Sequence, residues 1–146
     1  MTQFLTAKID KIVDAPIEKV YDTWIKADTL KFWFGPPGHV VTSAKLNVCK
    51  DGEYEIIMLS PEKNRYTLKG KFIEIIPYEK LIYTWYWNKP ELGEYETQVT
   101  VSFISEKSGT RVTIHHEKFL QHTHCEGHTA GWLGSIERIG KYFTLK

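Results

Sequence analysis

Residues 14–38, DAPIEKVYDTWIKADTLKFWFGPPG, decide the fold of this chain. The start of the segment predicts a helix N-terminus. Asp14 can act as the helix cap, and Pro16 is tolerated in the first turn because the N–H it lacks would have no partner there. A second short helix is predicted from Ala27, with Asp28 as its cap. The glycines and prolines that end the segment cannot continue a helix. We therefore expect two short helices and then a change of structure.

Strands are predicted on both sides of this segment. One strand, over residues 4–13, precedes it, and short turns such as the hairpin signal Asp51-Gly52 separate those that follow. The later strands are expected at 40–48, 53–59, 65–76, 79–87, 94–105 and 109–118. This spacing is typical of an antiparallel meander.

The predicted sheet has one apolar, largely aromatic face and one polar face, because the two kinds of side chain alternate along most strands. A final helix over residues 123–144 is predicted to cover the apolar face, since its apolar residues recur three and four apart. These are Cys125, His128, Trp132, Ile136, Ile139 and Phe143. Four glycines each lower helix stability by about 1 kcal/mol relative to Ala, so this helix depends on tertiary packing. They are Gly127, Gly131, Gly134 and Gly140.

Size and composition limit the possible classes of function. The 146 residues make one domain, 1–146, and the net charge of +1 with interspersed acids gives no basis for nucleic-acid binding. The N-terminus has no apolar run of signal-peptide length, and no run approaches a membrane span. A cytoplasmic protein with Cys49 and Cys125 reduced is therefore expected.

Five motifs in order carry a family resemblance over nearly the whole chain. They are Ala15-Pro16-x-Glu18-x-Val20, Trp33-Phe34-Gly35-Pro36-x-Gly38, Gly70 with Glu74-Ile75-Ile76-Pro77-x-Glu79-Lys80-Leu81, Gly109-Thr110-Arg111-Val112-Thr113-Ile114 with His116-Glu117, and His128-x-x-Gly131-Trp132. With them the chain resembles the START-like (SRPBCC) helix-grip superfamily. Within it, the chain is most similar to the AHSA1-like domains, named after the activator of heat-shock protein 90 ATPase.

The resemblance implies an α+β helix-grip fold of the START/Bet v 1 kind. A curved antiparallel sheet would wrap around a long C-terminal helix, with two short helices after the first strand and an apolar cavity between sheet and helix. Relatives include polyketide cyclases, plant hormone receptors and a co-chaperone, and many are thought to bind lipid-like or aromatic molecules.

The candidate ligand-binding residues lie on the apolar faces of the predicted strands and of the last helix. Aromatic residues dominate the set, since Tyr and Trp combine large apolar area with one hydrogen-bonding group. The set is Trp33, Tyr54, Ile56, Met58, Tyr66, Leu68, Phe72, Tyr83, Trp85, Trp87, Val99, Val101, Ile114, His116, His128 and Trp132. The alternative is a fully packed core, which aromatic stripes usually form.

Two histidines fall on apolar faces, His116 on a strand and His128 on the last helix. With Tyr83 they could bind the polar group of a ligand, or they could act as acid and base near neutral pH. They could equally be hydrogen-bonded core histidines. No orienting acid is evident, because Glu117 points to the opposite face from His116.

The start of the last helix is rich in possible metal ligands and contains one possible nucleophile. The cluster is His122, His124, Cys125 and His128, but its pattern is HCEGH rather than the zinc motif HExxH. We therefore predict no metal site. Cys125 belongs to the apolar repeat of the helix, so we do not predict that it is a catalytic thiolate. The sequence has no dinucleotide-binding motif or phosphate loop. Residues 35–38 are not expected to bind phosphate, because their prolines lack the backbone N–H groups that would bind it. No cofactor is expected.

Three functions remain open at this point. The first is the binding of a small hydrophobic or aromatic molecule that enters near residues 35–39. The second is a cyclase- or aromatase-like enzyme that uses the same cavity. The third is an interaction protein of the co-chaperone kind. The partner is thus expected to be a small ligand, with no nucleic acid and no membrane span, and the protein could be a monomer or a homodimer.

Overall fold

The computed structural model describes residues 4–144, which form seven strands and three α-helices. The strands are β1 (Leu5–Val13), β2 (Val40–Leu46), β3 (Glu53–Leu59), β4 (Arg65–Ile76), β5 (Lys80–Trp87), β6 (Thr97–Glu106) and β7 (Gly109–Phe119). The helices are α1 (Ile17–Ile25), α2 (Ala27–Trp33) and α3 (His122–Thr144). A short 3₁₀ helix, Pro90–Leu92, lies between β5 and β6.

All strands pair antiparallel in one sheet of order β1-β7-β6-β5-β4-β3-β2. Neighbours along the chain pair through hairpins, and β1 adds to the outer side of β7, which leaves β1 and β2 as the two edges. The predicted helix-grip fold is confirmed, because the curved sheet, the two short helices after β1 and the long C-terminal helix are all present.

Burial follows the predicted alternation. In β3, β6 and β7 every second residue is buried, and the intervening side chains are at least partly exposed over most of their length. The buried side chains of the sheet form one core with those of all three helices. The helices therefore cover the apolar face of the sheet, as its hydrophobic pattern requires.

Two predicted helix caps are wrong. Pro16 and Lys26 occupy the cap positions of α1 and α2, and neither helix has a side-chain cap hydrogen bond. Asp28 instead lies in the first turn of α2, where its carboxylate faces the positive end of the helix dipole. The predicted strand 94–105 also starts too early, because the turn of Pro90–Leu92 ends at Gly93 with a φ of 91° before β6 begins.

Arg138 of α3 connects the last helix to α2 and to the loop that follows it. Its Nε donates to the backbone oxygen of Trp33 at 3.1 Å, and Nη2 donates to the backbone oxygen of Gly35. The first of these oxygens ends α2, where a helix has carbonyls without internal partners. We call residues 34–39 the mouth loop, and Arg138 holds it against α3. No helix in the described range is long and apolar enough to cross a membrane.

Candidate functional site

A cavity of about 240 Å³ lies between the sheet, the mouth loop and the first half of α3. Each element contributes a distinct part of the lining. The sheet supplies Met58, Tyr66, Trp85 and Trp87, the mouth loop Phe34, Gly35, Pro36 and His39, the 3₁₀ region Glu91 and Leu92, and α3 Thr123, His124, Gly127, His128, Gly131, Trp132 and Ser135. The cavity therefore lies where the sequence analysis placed it, under the last helix and beside residues 35–39.

Aromatic rings form the walls of this cavity. The Trp85 ring lies 5.5 Å from that of Trp132 and 5.9 Å from that of Phe34, measured between centroids. Trp87 packs edge-on against Tyr66 at 6.4 Å. Because each ring is held by the next, the walls are shaped before any ligand arrives, and they present flat apolar surfaces.

The side of α3 that lines the cavity is partly bare backbone. A methyl group added at Gly127 or at Gly131 would meet no atom within 4 Å, so neither glycine is required by close packing. Glycine inside a helix costs about 1 kcal/mol relative to Ala. What the two glycines provide is open space along the cavity wall.

A chain of hydrogen bonds fixes His116 behind that wall. Trp132 Nε1 donates to His116 Nδ1 at 3.1 Å, and His116 Nε2 lies 2.7 Å from Thr97 Oγ1, which donates to the backbone oxygen of Trp85 at 3.3 Å. Since Nδ1 accepts, Nε2 carries the proton of a neutral imidazole. Burial, with a smaller contribution from the neighbouring His128, lowers the pKa of His116 well below its usual range.

His128 is also neutral and fully bonded. Trp87 Nε1 donates to His128 Nε2 at 2.9 Å, and His128 Nδ1 donates to the backbone oxygen of His124 at 2.8 Å. Burial lowers the pKa of His128 despite this backbone hydrogen bond. Both ring nitrogens are occupied, so His128 presents the cavity with a ring face and no free polar atom.

One polar atom of the lining stays unsatisfied. Trp85 Nε1 is the only buried side-chain nitrogen or oxygen in residues 4–144 that has no hydrogen-bond partner. Trp85 is 6% exposed and lines the cavity. A buried N–H without an acceptor costs about 1–3 kcal/mol.

A family model described as "Activator of Hsp90 ATPase homolog 1-like protein" matches residues 14–144. The chain belongs to this family. A search of the curated proteins gives no match.

Solved bacterial structures have the same fold as this AHSA1-like chain. A protein from Chromobacterium violaceum is 21% identical, with 94% of this chain and 95% of that chain covered and a TM-score of 0.84. One from Nitrosomonas europaea is 21% identical, with 97% and 95% covered and a TM-score of 0.85. The AHSA1 protein from Silicibacter pomeroyi is 20% identical, with 97% and 99% covered and a TM-score of 0.80. This fold is commonly a ligand-binding fold.

The residues predicted to bind ligand fall into three groups in this AHSA1-like structure. Those that line the cavity are Met58, Tyr66, Trp85, Trp87, His128 and Trp132. Those that surround a separate void of about 30 Å³, the space of roughly one water molecule, are Trp33, Tyr54, Ile56, Leu68, Phe72 and Tyr83, with Trp85 between the two spaces. Those that line neither space are Val99, Val101, Ile114 and His116, which are fully enclosed in the core.

The residues of the last two groups do not line the cavity, which reduces the number of candidate ligand-binding residues. The strand positions of β6 and β7 are covered directly by other side chains, so they build the core rather than a ligand surface. Tyr83 accepts a 3.3 Å hydrogen bond from Trp24, and burial raises its pKa well above the usual range. His116 therefore has no free ring nitrogen for a ligand, and Tyr83 lies at the small void rather than at the cavity.

Sequence reasoning missed much of the α3 lining. His124 was considered only as a possible metal ligand, Gly127 and Gly131 were considered only as helix or motif positions, and Ser135 was not considered. These residues follow one stripe of the helix at spacings of three and four, next to the predicted apolar stripe. That second stripe of small and polar residues was the available signal.

The metal and thiol hypotheses gain no support from the geometry. In the described part of the chain no three His, Cys, Asp or Glu side chains are grouped so as to hold a metal ion. His124 Nδ1 and both nitrogens of His128 are engaged elsewhere. Burial raises the pKa of Cys125, the opposite of what a thiolate nucleophile needs.

His116 and His128, whose pKa values are lowered by burial, predict an acid-sensitive fold in this family member. Their pKa values are lowered in the folded state, so below the unfolded value of about 6.5 the unfolded chain binds protons that the folded chain excludes. Stability should be complete above pH 6.5 and fall by up to ~2.7 kcal/mol per pH unit below it. Urea unfolding at pH 7.5, 6.5 and 5.5 measures this slope, and equal stability at all three values would contradict the assignment.

Proposed function

We propose that this protein binds a small hydrophobic or aromatic molecule in the cavity between the sheet and α3. The observation that carries the proposal is the cavity itself, about 240 Å³ with aromatic walls on the sheet side and bare glycine backbone on the helix side. Ligand pockets are typically concave and mostly apolar with a few polar groups, as this one is.

The volume indicates how large the ligand is. An engineered apolar cavity of ~150 Å³ holds benzene, whereas sites for drug-sized molecules begin near 300 Å³. The observed volume lies between these two values. A molecule of one or two aromatic rings fits that range, and a whole long-chain lipid does not.

The expected affinity of such a ligand is modest. An aromatic group of this size buries ~150–250 Å² of apolar surface, which stabilises the complex by roughly 4–6 kcal/mol at ~25 cal/mol per Å². This corresponds to a Kd between about 1 mM and 40 μM before the cost of association. Nuclear magnetic resonance (NMR) measures binding in this range.

The enzyme and co-chaperone hypotheses find no specific observation in their favour. His116 and His128 use both ring nitrogens within the protein. His39 and His124 also line the cavity, but their hydrogen bonds go to Pro37 and Tyr95 rather than to an acid that would orient them for acid–base chemistry. Of the described residues that line the cavity, Glu91 is the one carboxylate, and it is exposed.

Titration with naphthalene, followed through the five tryptophan indole N–H signals, tests the proposal. Trp85, Trp87 and Trp132 line the cavity, whereas Trp24 and Trp33 do not and serve as internal controls. We expect the first three signals to shift in a saturable way and to shift more than the other two. Signals that do not move, or that all move alike without saturation, would overturn the proposed function.

A pair of glycine variants provides the matched test. Gly131→Ala places a methyl group at the cavity wall, while Gly140→Ala adds one elsewhere on the same helix, and neither methyl meets an atom within 4 Å. Each variant should be more stable by up to about 1 kcal/mol. Only Gly131→Ala should weaken naphthalene binding, by several-fold. Equal binding by both variants would mean that the ligand does not occupy this wall.

A further inference from the structure

The ring nitrogens of the cavity lining divide into those with partners and those without. Trp87 Nε1, Trp132 Nε1 and both nitrogens of His128 make the hydrogen bonds described above. His124 Nε2 makes no hydrogen bond with the described residues and keeps some accessible surface, whereas Trp85 Nε1 also has no partner but is fully buried. Of these two atoms, only His124 Nε2 has surface that a ligand can contact.

The hydrogen-bond network assigns the proton of His124. Tyr95 Oη accepts the backbone N–H of Leu120 at 2.8 Å and lies 3.0 Å from His124 Nδ1. The Tyr95 hydroxyl has one proton. If it donates this proton to His124 Nδ1, then Leu120 N–H, Tyr95 Oη and His124 Nδ1 all have a hydrogen-bond partner. Nδ1 is then an acceptor, so the proton of the neutral ring sits on Nε2. His124 offers a hydrogen-bond donor.

Both unpartnered atoms are thus donors, since an indole nitrogen is never an acceptor. The hydroxyl of Ser135, also in the lining, already accepts a 3.4 Å hydrogen bond from Arg138. The other lining side chains with an acceptor oxygen are Glu91 and Thr123, which are exposed to solvent, and Tyr66, which is partly exposed. None of these oxygens bonds to His124 Nε2, so a ligand can supply its acceptor.

The charges around the cavity decide what kind of acceptor it is. None of the described lining residues is Lys or Arg, while Glu91 lies at the rim. Arg138 contacts the lining residues Gly35 and Ser135, and Lys89 Nζ lies 5.5 Å from the Tyr66 ring centroid, but neither cation lines the cavity. A buried carboxylate would therefore lack a direct partner, which is unfavourable. An uncharged oxygen needs only a donor.

We propose that the ligand is a small uncharged aromatic molecule with a carbonyl oxygen that accepts the Nε2–H of His124. This inference rests on the proposed function, because it names the ligand class of that cavity.

Three probes of one shape test the ligand class. 2-Acetylnaphthalene has the carbonyl oxygen, 2-ethylnaphthalene lacks it, and 2-naphthoate replaces it with a carboxylate. By NMR titration we expect the acetyl compound to bind about two- to tenfold more tightly than the ethyl compound, the net effect of one hydrogen bond. The naphthoate should bind more weakly than the ethyl compound.

Two further measurements connect the preference to His124. In His124→Phe the ring remains but the donor is lost, so the acetyl and ethyl compounds should bind equally. In the wild-type protein, ¹⁵N chemical shifts of His124 should show the Nε2–H tautomer, a result that does not depend on how the variant folds.

The outcomes separate this inference from the proposed function. Four results would overturn the inference and leave the proposed function standing. Two concern the wild-type protein: equal binding of the acetyl and ethyl compounds, or tighter binding of the naphthoate than of the ethyl compound. The other two are a preference for the acetyl compound that survives in His124→Phe, and an Nδ1–H tautomer of His124. Failure of naphthalene and all three probes to bind would overturn both.

Discussion

Replacing Trp132 by Ala is expected to lower the free energy of unfolding by about 3–5 kcal/mol, the usual cost of truncating a large buried aromatic. Trp132 is 4% exposed and packs against Trp24, Trp33 and Trp85 at centroid distances of 5.5–6.5 Å. It also begins the hydrogen-bond chain through His116 to the sheet. The variant loses apolar burial and leaves His116 Nδ1 without a donor. Domains of this size have a total stability of roughly 5–15 kcal/mol, so the loss is a large fraction.

Urea denaturation monitored by circular dichroism measures this change, and Trp132→Phe separates its two causes. Phenylalanine keeps most of the ring contact but removes the indole N–H, so this variant should lose only ~1–3 kcal/mol, mainly the cost of an unsatisfied His116. If Trp132→Ala lost less than about 1 kcal/mol, α3 would not be fastened to the sheet in the way described.

Replacing Arg138 by Met should lower the free energy of unfolding by about 2–3 kcal/mol and should loosen the mouth loop. The guanidinium donates to the last carbonyl of α2 and to Gly35, and hydrogen bonds from charged groups contribute roughly 1.5–3 kcal/mol each. Partial exposure of Arg138 reduces the sum. Methionine keeps the aliphatic stem, so the loss reports on the hydrogen bonds rather than on packing.

Lys141→Met is the matched control, because Lys141 is a cation on the same helix whose salt bridge to Glu137 at 3.4 Å is exposed on both sides. Its removal should change stability by less than ~0.5 kcal/mol. Hydrogen exchange of the amides at residues 38–40 gives a second readout and should accelerate only in Arg138→Met. Unchanged exchange in that variant would show that the mouth loop is held by other contacts.

The fold was predictable because its main determinants are local. Hydrophobic alternation in the strands, the hairpin signals and the glycines and prolines of residues 35–38 each act over a few residues, and they place the elements correctly. The caps of α1 and α2 were not predictable, since Asp14 and Asp28 satisfy the cap pattern but the chain direction before each helix puts Pro16 and Lys26 there.

The cavity was predictable only in outline. Alternation shows which strand residues face inward, but it cannot show which of them a helix covers, because that depends on where α3 crosses the sheet. Val101 and Met58 have the same pattern in their strands, yet only Met58 reaches the cavity. His124 bonds to Tyr95, which also accepts the backbone N–H of Leu120, and Tyr95 is far from both residues in sequence. The proposed donor role of His124 therefore follows only from three-dimensional contacts.

The glycine wall of α3 also has an evolutionary consequence. Where side chains enclose a pocket, enlarging or reshaping it disturbs neighbours that pack against them. At Gly127 and Gly131 a new side chain would meet open space, so single codon changes can narrow the pocket in steps while they strengthen the helix. A lineage with this wall can acquire new selectivity without first passing through destabilised intermediates.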